Sequence, residues 1–233
     1  MDLTKTLRKQ GFDLIEGPVR NHKLLQLWLK KPFNDVQLYY SRINHAFVSD
    51  VKLNEIENPA MNIDSSTRDE YGFNIGISML EEVLNSLGMG SVEITSELKT
   101  GKRVSISYDQ SVTKEIPIGE IQNYLSSADF EHPNPSLLKA ANKDDILVIS
   151  GILMAKSLVV DIETDFQLDS ELVVQLNKKG GGELDFSKTS DNMLNMVSSA
   201  TNHFPVAVKA NRLDFDKGHF IKTTLVTDNR KFF

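Results

Sequence analysis

Between Ser91 and Asp109 the chain alternates apolar and polar residues with a period of two. Val92, Ile94 and Leu98 oppose Glu93, Thr95 and Glu97; after Lys99-Thr100-Gly101-Lys102, Val104, Ile106 and Tyr108 oppose Ser105, Ser107 and Asp109. Successive side chains of a strand point to opposite faces, whereas a helix would scatter this pattern around its axis. The spacing predicts an amphipathic hairpin of 91–98 with 103–109, one face greasy and one wet. The run Ile146–Asp165 is longer than a usual globular strand. Its second half repeats the pattern, with Leu158, Val160 and Ile162 against Asp161, Glu163 and Asp165.

The remaining elements mix helix with strand. Asp2–Gln10 reads as a short helix with Leu3 and Leu7 on one face, closed by Gly11. Phe12–Glu16, Leu24–Leu29 and Val36–Tyr40 read as strands, with Leu25, Leu27 and Leu29 sharing a face. Residues 53–72 are polar and turn-rich and read as loop. Ser78–Leu87 has a capping box from Ser78 to Glu81 and an apolar stripe of Met79, Leu80, Val83, Leu84 and Leu87. Helices are also expected over Gly119–Ser127 and Ser136–Asn142. Lys178-Lys179-Gly180-Gly181-Gly182 reads as a flexible joint, and Glu183–Val197 as extended chain with Leu184 and Phe186 apolar. Strands near Val206–Phe215 and His219–Val226 are joined by Asp216-Lys217-Gly218. The fold class is α+β, with enough chain for a sizeable core in one domain over 1–233.

Composition narrows the chemistry. With no cysteine among 233 residues, disulfides, thiolate metal sites and S-acylation are excluded. Met1–Phe12 does not read as a signal peptide, because Lys5, Arg8 and Lys9 interrupt it. No stretch reaches the ~18–20 apolar residues of a membrane-spanning helix, so any span would be built from strands. The net charge of −6 argues against general nucleic-acid binding. Residues 1–31 nevertheless carry +4, from Lys5, Arg8, Lys9, Arg20, Lys23, Lys30 and Lys31 against three acids. A basic N-terminal stretch on an acidic body suits either a solvated face or contact with anionic lipid headgroups, at ~1 kcal/mol per Lys or Arg. The five histidines stand at no metal-ligand spacing, and no phosphate-binding loop or nucleophile elbow is present. No catalytic residues, metal or cofactor are expected.

A transmembrane strand needs ~9–11 residues and must close into a barrel, apolar outside and polar within. Two amphipathic hairpins from each of many copies would supply such a wall. Half-buried strands of a soluble sheet alternate identically. The pattern alone leaves open a pore-former and a soluble binding module that uses its acidic surface to hold a protein partner.

Three stretches carry a family resemblance. They are Leu7-x3-Gly11-Phe12-x-Leu14-Ile15-x2-Pro18 followed by Leu25-Gln26-Leu27; Tyr124-Leu125-x2-Ala128-Asp129 with Leu137-Leu138, Asp144-Asp145-Ile146-Leu147-Val148 and Leu153-x2-Lys156-Ser157; and Pro205-Val206-Ala207-Val208-Lys209-Ala210-x2-Leu213 with Gly218-His219-Phe220. In that order the chain resembles a gasdermin of the short bacterial and fungal type. The resemblance implies a twisted, mainly antiparallel sheet flanked by helices. It also implies a cytoplasmic protein that binds acidic membrane, oligomerises and inserts β-hairpins as a transmembrane barrel, with lytic cell death as the outcome in defence or non-self recognition. On that footing Lys5, Arg8, Lys9, Arg20, Lys23, Lys30 and Lys31 would meet the lipid. The inserting faces would be Val92, Ile94, Leu98, Val104, Ile106 and Tyr108 in a first hairpin, and Leu158, Val160, Ile162, Leu184 and Phe186 in a second, made by strand 150–165 with strand 183–197. The partners implied are an anionic phospholipid membrane, further copies of the chain, and as trigger either a second gasdermin-like protein or a protease. Many bacterial members carry a lipidated cysteine near residue 3, where Asp2, Leu3 and Thr4 stand here. The tail 221–233 is either a short latch with a cut site at Arg230-Lys231 or an ordinary strand end.

Overall fold

The computed structural model describes residues 7–14, 22–30, 36–60, 63–67, 103–109, 111–130, 134–155, 157–163, 167, 169–180, 184–198 and 204–226. Strands are numbered in chain order. The larger sheet is built on β10 (Ile146–Ala155), which pairs along most of its length with β14 (Phe204–Asp216). Its other edge takes β2 (Leu27–Lys30) and β8 (Val112–Glu115). Around these lie β1 (Asp13–Leu14) on β14, β3 (Val36–Tyr40) on β2, β5 (Ile56–Pro59) on β8 and β15 (His219–Val226) on β14. A short ladder joins β4 (Phe47–Val48) to β9 (Asp129–Phe130).

β10 is central because both of its faces are apolar. Ile146 and Val148 enter one core with Leu27, Phe47, Leu213 and Phe215, while Leu147 and Ile149 enter another with Val208 and Ala210. A strand without a polar face must be covered on both sides. The first core is covered by helices α1 (Ile118–Ser126) and α2 (Pro135–Ala141) through Ile121, Tyr124, Leu125 and Leu137. The Asn134 side chain caps α2 by accepting from the Ser136 and Leu137 N–H groups. The buried Tyr124 hydroxyl donates to the Phe47 carbonyl at 2.6 Å. At the β10 bulge, a Cβ on Gly151 would come within 3.1 Å of both the Glu115 and Lys209 side chains, so a larger residue there would have to displace one of them.

The smaller sheet has five strands in the order β12-β13-β11-β7-β6, every neighbouring pair antiparallel. They are β6 (Ile63–Thr67), β7 (Arg103–Asp109), β11 (Ser157–Glu163), β12 (Leu184–Ser190) and β13 (Met193–Ser198). Helix α3 (Ser170–Gly180) lies between β11 and β12 in the chain, and its first turn is capped by Asp169, whose Oδ1 accepts from the Glu171 N–H.

Several expectations are corrected. Residues 53–72 are not all loop: β5 and β6 lie there, formed by pairing with β8 and β7 rather than by local propensity. The strand expected from Leu24 starts at Leu27, because Leu25 takes a left-handed φ of 63° and its N–H turns to the Ile149 carbonyl. The run expected over 146–165 holds two strands in different sheets, β10 and β11. Lys178–Gly180, expected as part of a joint, end helix α3. The extended run expected over 183–197 is, over 184–198, the hairpin β12–β13, turned at Asp191-Asn192. β7 pairs with β6 on one edge and β11 on the other. The expected strand 91–98 and helix 78–87 lie outside the described residues, and of helix 2–10 only residues 7–9 are described as helical.

Candidate membrane-inserting sheet

Cross-strand register sorts the smaller sheet into two faces, since residues directly opposite one another lie on the same side. One row reads Ser65, Ile106, Val160, Met196 and Phe186. A second row on that face reads Thr67, Val104, Ile162, Leu194 and Lys188. Val160, Ile162 and Met196 are fully buried, and Leu194 and Phe186 nearly so. Between these rows runs Ser66, Ser105, Asp161, Asn195 and Ser187, on the opposite face. There the Asn195 amide donates to Asp161 at 2.7 Å and the Ser187 hydroxyl donates to the Asn195 carbonyl oxygen. The deeply buried side chains thus lie on the first, dry face; the second, wetter face carries these polar groups together with the half-buried Val159, Met193 and Val197.

Helix α3 packs against the edge strand β12, and its Leu176 is buried. The helix also reaches the sheet edge. Asn177 accepts from the Phe186 N–H with Oδ1 and donates to the Phe186 carbonyl with Nδ2, both at 2.7 Å. One side-chain amide therefore stands where a neighbouring strand would stand against β12. Exposed strand edges are open templates for pairing, and this one is closed by a helix.

Of the expected inserting residues, Val160, Ile162 and Phe186 share the buried face. Val104, Ile106, Tyr108, Leu158 and Leu184 occupy strand positions, Tyr108 opposite Leu158 and both Val104 and Ile106 opposite buried residues. Val92, Ile94 and Leu98 lie outside the described residues, as do Lys5, Arg20, Lys31, Arg230 and Lys231. The remaining basic residues are scattered. Lys9 and Lys23 are exposed and Lys30 half-buried. Arg8 is turned inward, its Nε donating to the buried carboxylate of Asp13 at 2.7 Å. In this state Arg8 holds the N-terminal segment onto β1.

Helix α3 was not among the expected elements, and its residues carry a signal of double character. The period-two alternation does not stop at Asp165. Leu158, Val160, Ile162, Thr164, Phe166, Leu168, Ser170, Leu172, Val174 and Leu176 fall at even positions, and Asp161, Glu163, Asp165, Gln167, Asp169, Glu171, Gln175 and Asn177 at odd ones, with Val159 and Val173 the two apolar exceptions among the odd positions. The helix uses only part of this set. Leu176 is buried and Leu172 and Val173 are partly covered, while Val174 is 51% exposed.

Elsewhere, a cavity of about 610 Å³ lies between residues 8–11, β8 and β14. Within it Lys209 pairs with Glu115 at 2.6 Å, and Asn211 donates to the Ser150 hydroxyl. On β8, Lys114 reaches Glu55 and Glu57, and hydrogen bonding to Glu55 holds its ammonium pKa above the usual lysine value. Among the described residues no cluster of potential metal ligands occurs. None of the described helices is long and apolar enough to cross a membrane, which leaves strand-built spans untouched.

A sequence model described as the Bacterial Gasdermin Family matches residues 15–219. The solved structure of a bacterial gasdermin from Bradyrhizobium tropiciagri is similar in fold. Its TM-score is 0.58 at 14% identity, covering 95% of this chain and 90% of that one. The cryo-EM structure of the Gasdermin A3 membrane pore aligns with a TM-score of 0.39 at 11% identity, over 96% of this chain and 93% of that one. No protein of curated function matches by sequence.

Proposed function

This chain belongs to the bacterial gasdermin family, and from that premise we propose that it is a membrane pore-former whose smaller sheet supplies the transmembrane strands. The observation that carries the reading is the alternation that runs from Leu158 to Asn177, through β11 and on through α3. A segment that was only ever a helix has no need of a period of two. Over this stretch every second residue is apolar or small and the residues between are mostly polar. That is what a barrel strand with lipid on one side and a water-filled lumen on the other requires. Its length is roughly twice the ~9–11 residues that span a bilayer core.

In this reading the soluble form, held in the cytoplasm, keeps the dry face covered. At the cell membrane, exposed basic residues including Lys9 and Lys23 meet anionic headgroups. The coverings then lift, and β6, β7, β11 and the segments that follow them extend as hairpins into a wall shared by many copies. The outcome is leakage and lytic death of the cell, used in defence or non-self recognition. The trigger we favour is contact with a second gasdermin-like protein rather than proteolysis near Arg230-Lys231.

Dye release from vesicles containing anionic lipid, with untreated full-length protein, tests this. Release that disappears when Val104 and Ile106 are both replaced by Asp supports the reading. Release that persists in that variant, or silence in the presence of both a candidate partner and limited proteolysis, contradicts it.

A further inference from the structure

Under the N-terminal segment the larger sheet carries a polar floor. β10 runs through Ile146, Leu147, Val148 and Ile149 and then reaches Ser150, the residue at its bulge, which has no directly opposite partner on β14. Bulges re-aim side chains and are common beside functional sites. Ser150 is buried, and so is Asn211 on β14. The Asn211 amide donates to the Ser150 hydroxyl at 2.6 Å, and that hydroxyl donates to the Lys209 carbonyl. Burying such groups is costly, and an apolar pair would fill the same space without that cost.

This floor belongs to the cavity of about 610 Å³ described above. The size suits a small organic molecule, whose pockets usually span ~300–1,000 Å³. The walls favour negative charge. Arg8, Lys9 and Lys209 line the cavity against one carboxylate, Glu115, in a chain whose net charge is −6. Lys209 stands between Glu115 at 2.6 Å and the face of the Phe12 ring. Arg8 meets Asp13 through Nε, while its Nη2 is buried with no hydrogen-bond partner among the described residues. A buried orphan donor of this kind calls for an acceptor.

Helix α1 adds a further source of positive potential. It starts at Ile118 behind Pro117, whose side chain cannot cap it, and both residues line the cavity, with Gln122 one turn on. The first N–H groups of a helix lack intrahelical acceptors and favour an anion. Glu120, the acid of that first turn, accepts from the Asn54 N–H at 2.7 Å instead. Donors thus converge from different walls: an ammonium, a helix N-terminus and an amide. A tetrahedral phosphate takes hydrogen bonds from several directions at once. Ile116, Ile118 and Leu225 supply apolar wall beside these donors.

We propose that this cavity is a binding site for a soluble organic phosphate, with Lys209, the α1 N-terminus and the Ser150–Asn211 floor facing the phosphate and the apolar wall facing the organic part. Such a ligand bridges two parts of the molecule. Gly11, at a left-handed φ of 83°, brings the N-terminal segment against Lys209 and Leu225, whereas the floor and α1 belong to the frame. Ligand binding to the closed fold alone stabilises it, so an occupied cavity holds the N-terminal segment down. The site stands whether or not the chain makes pores.

Isothermal titration of the full-length protein at fixed ionic strength tests this. The probes are adenosine monophosphate and glucose phosphate, with adenosine and glucose as arms without phosphate. Vesicles containing phosphatidic acid are the arm in which a lipid presents the same group. The expected result is saturable one-to-one binding of at least one soluble phosphate and of neither uncharged arm. Lys209→Gln should weaken binding roughly tenfold. Glu115→Gln, which removes the carboxylate competing for Lys209, should strengthen it by a similar factor. A purely structural ion pair gives no such opposed effects. Should Lys209→Gln fail to fold, Ile118→Trp gives a second reading, because this 40% exposed wall residue then fills the cavity. Lys23→Gln removes an exposed charge that does not line the cavity and should bind as wild type does. No binding of either soluble phosphate at millimolar concentration overturns the proposal, as does binding unchanged in both Glu115→Gln and Ile118→Trp. Binding confined to the phosphatidic acid vesicles also overturns it and assigns these groups to a membrane surface.

Discussion

The two sheets of this protein are built from the same kind of antiparallel ladder, yet they are committed to very different degrees. In the larger sheet β10 buries both faces, and its neighbours contribute to two separate cores. No rearrangement can expose one side of β10 without wetting apolar surface, so its sequence admits a single environment. In the smaller sheet the fully buried residues of β11 and β13 lie on one side, and the apolar residues on the other, Val159, Met193 and Val197, are only half-buried. Its wet face is already satisfied by Asp161, Asn195 and Ser187, and its dry face needs a cover without specifying which. Under the proposed function a helix would serve in water, and lipid tails would serve in a membrane. One-sided strands are thus the part of the fold that can be exchanged, and two-sided strands are the frame.

Truncation separates the two regions most strongly. Ile146→Ala in β10 and Ile162→Ala in β11 each empty a fully buried site. Each should lower soluble stability by about 2–5 kcal/mol in urea unfolding. Release per folded molecule should be kept by Ile146→Ala and reduced by Ile162→Ala; equal loss in both would erase the proposed distinction. Next in size is the membrane step. Replacing Lys9 and Lys23 with Gln should weaken sedimentation with anionic vesicles by about 1 kcal/mol for each charge removed. Raised salt should shrink that difference. Smaller again is Tyr124→Phe, which removes the 2.6 Å bond to the Phe47 carbonyl in the frame. It should cost about 1 kcal/mol of stability by thermal or urea unfolding and leave release unchanged.

The same contrast explains what could be read in the sequence. Helices α1 and α2 and the hairpin β14–β15 are legible because local chemistry specifies them: Asn134 caps α2, and Lys217 and Gly218 take the positive φ values that the turn requires. The two faces of β11 are legible because alternation has only one meaning there. β5 and β6 are not, because their residues carry little pattern of their own. All four residues of β5 are exposed, and it is placed by β8, with Lys114 bridging Glu55 and Glu57. The left-handed Leu25 is invisible locally, being imposed by the contact of its N–H with Ile149. Arg8, expected at a lipid surface, finds the buried Asp13 instead, and no count of charges along the chain predicts that pairing. α3 is the most instructive omission. Its residues satisfy a strand pattern and a helix pattern at once, and in the soluble fold Asp169 at the N-terminus and Asn177 near the C-terminus favour the helix.

That double character can be tested at two adjacent exposed positions on α3, Val174 and Gln175. As part of a helix, either should accept Lys with less than about 0.5 kcal/mol change in soluble stability. As part of a transmembrane strand they face opposite ways. Val174→Lys sets a charge against lipid, at about 2–4 kcal/mol near the bilayer midplane, and Gln175→Lys sets one in the lumen. Dye release from anionic vesicles by the two variants, matched for folded protein, is the most direct measurement. The account predicts that Val174→Lys abolishes release and Gln175→Lys retains it; similar release from both would contradict it.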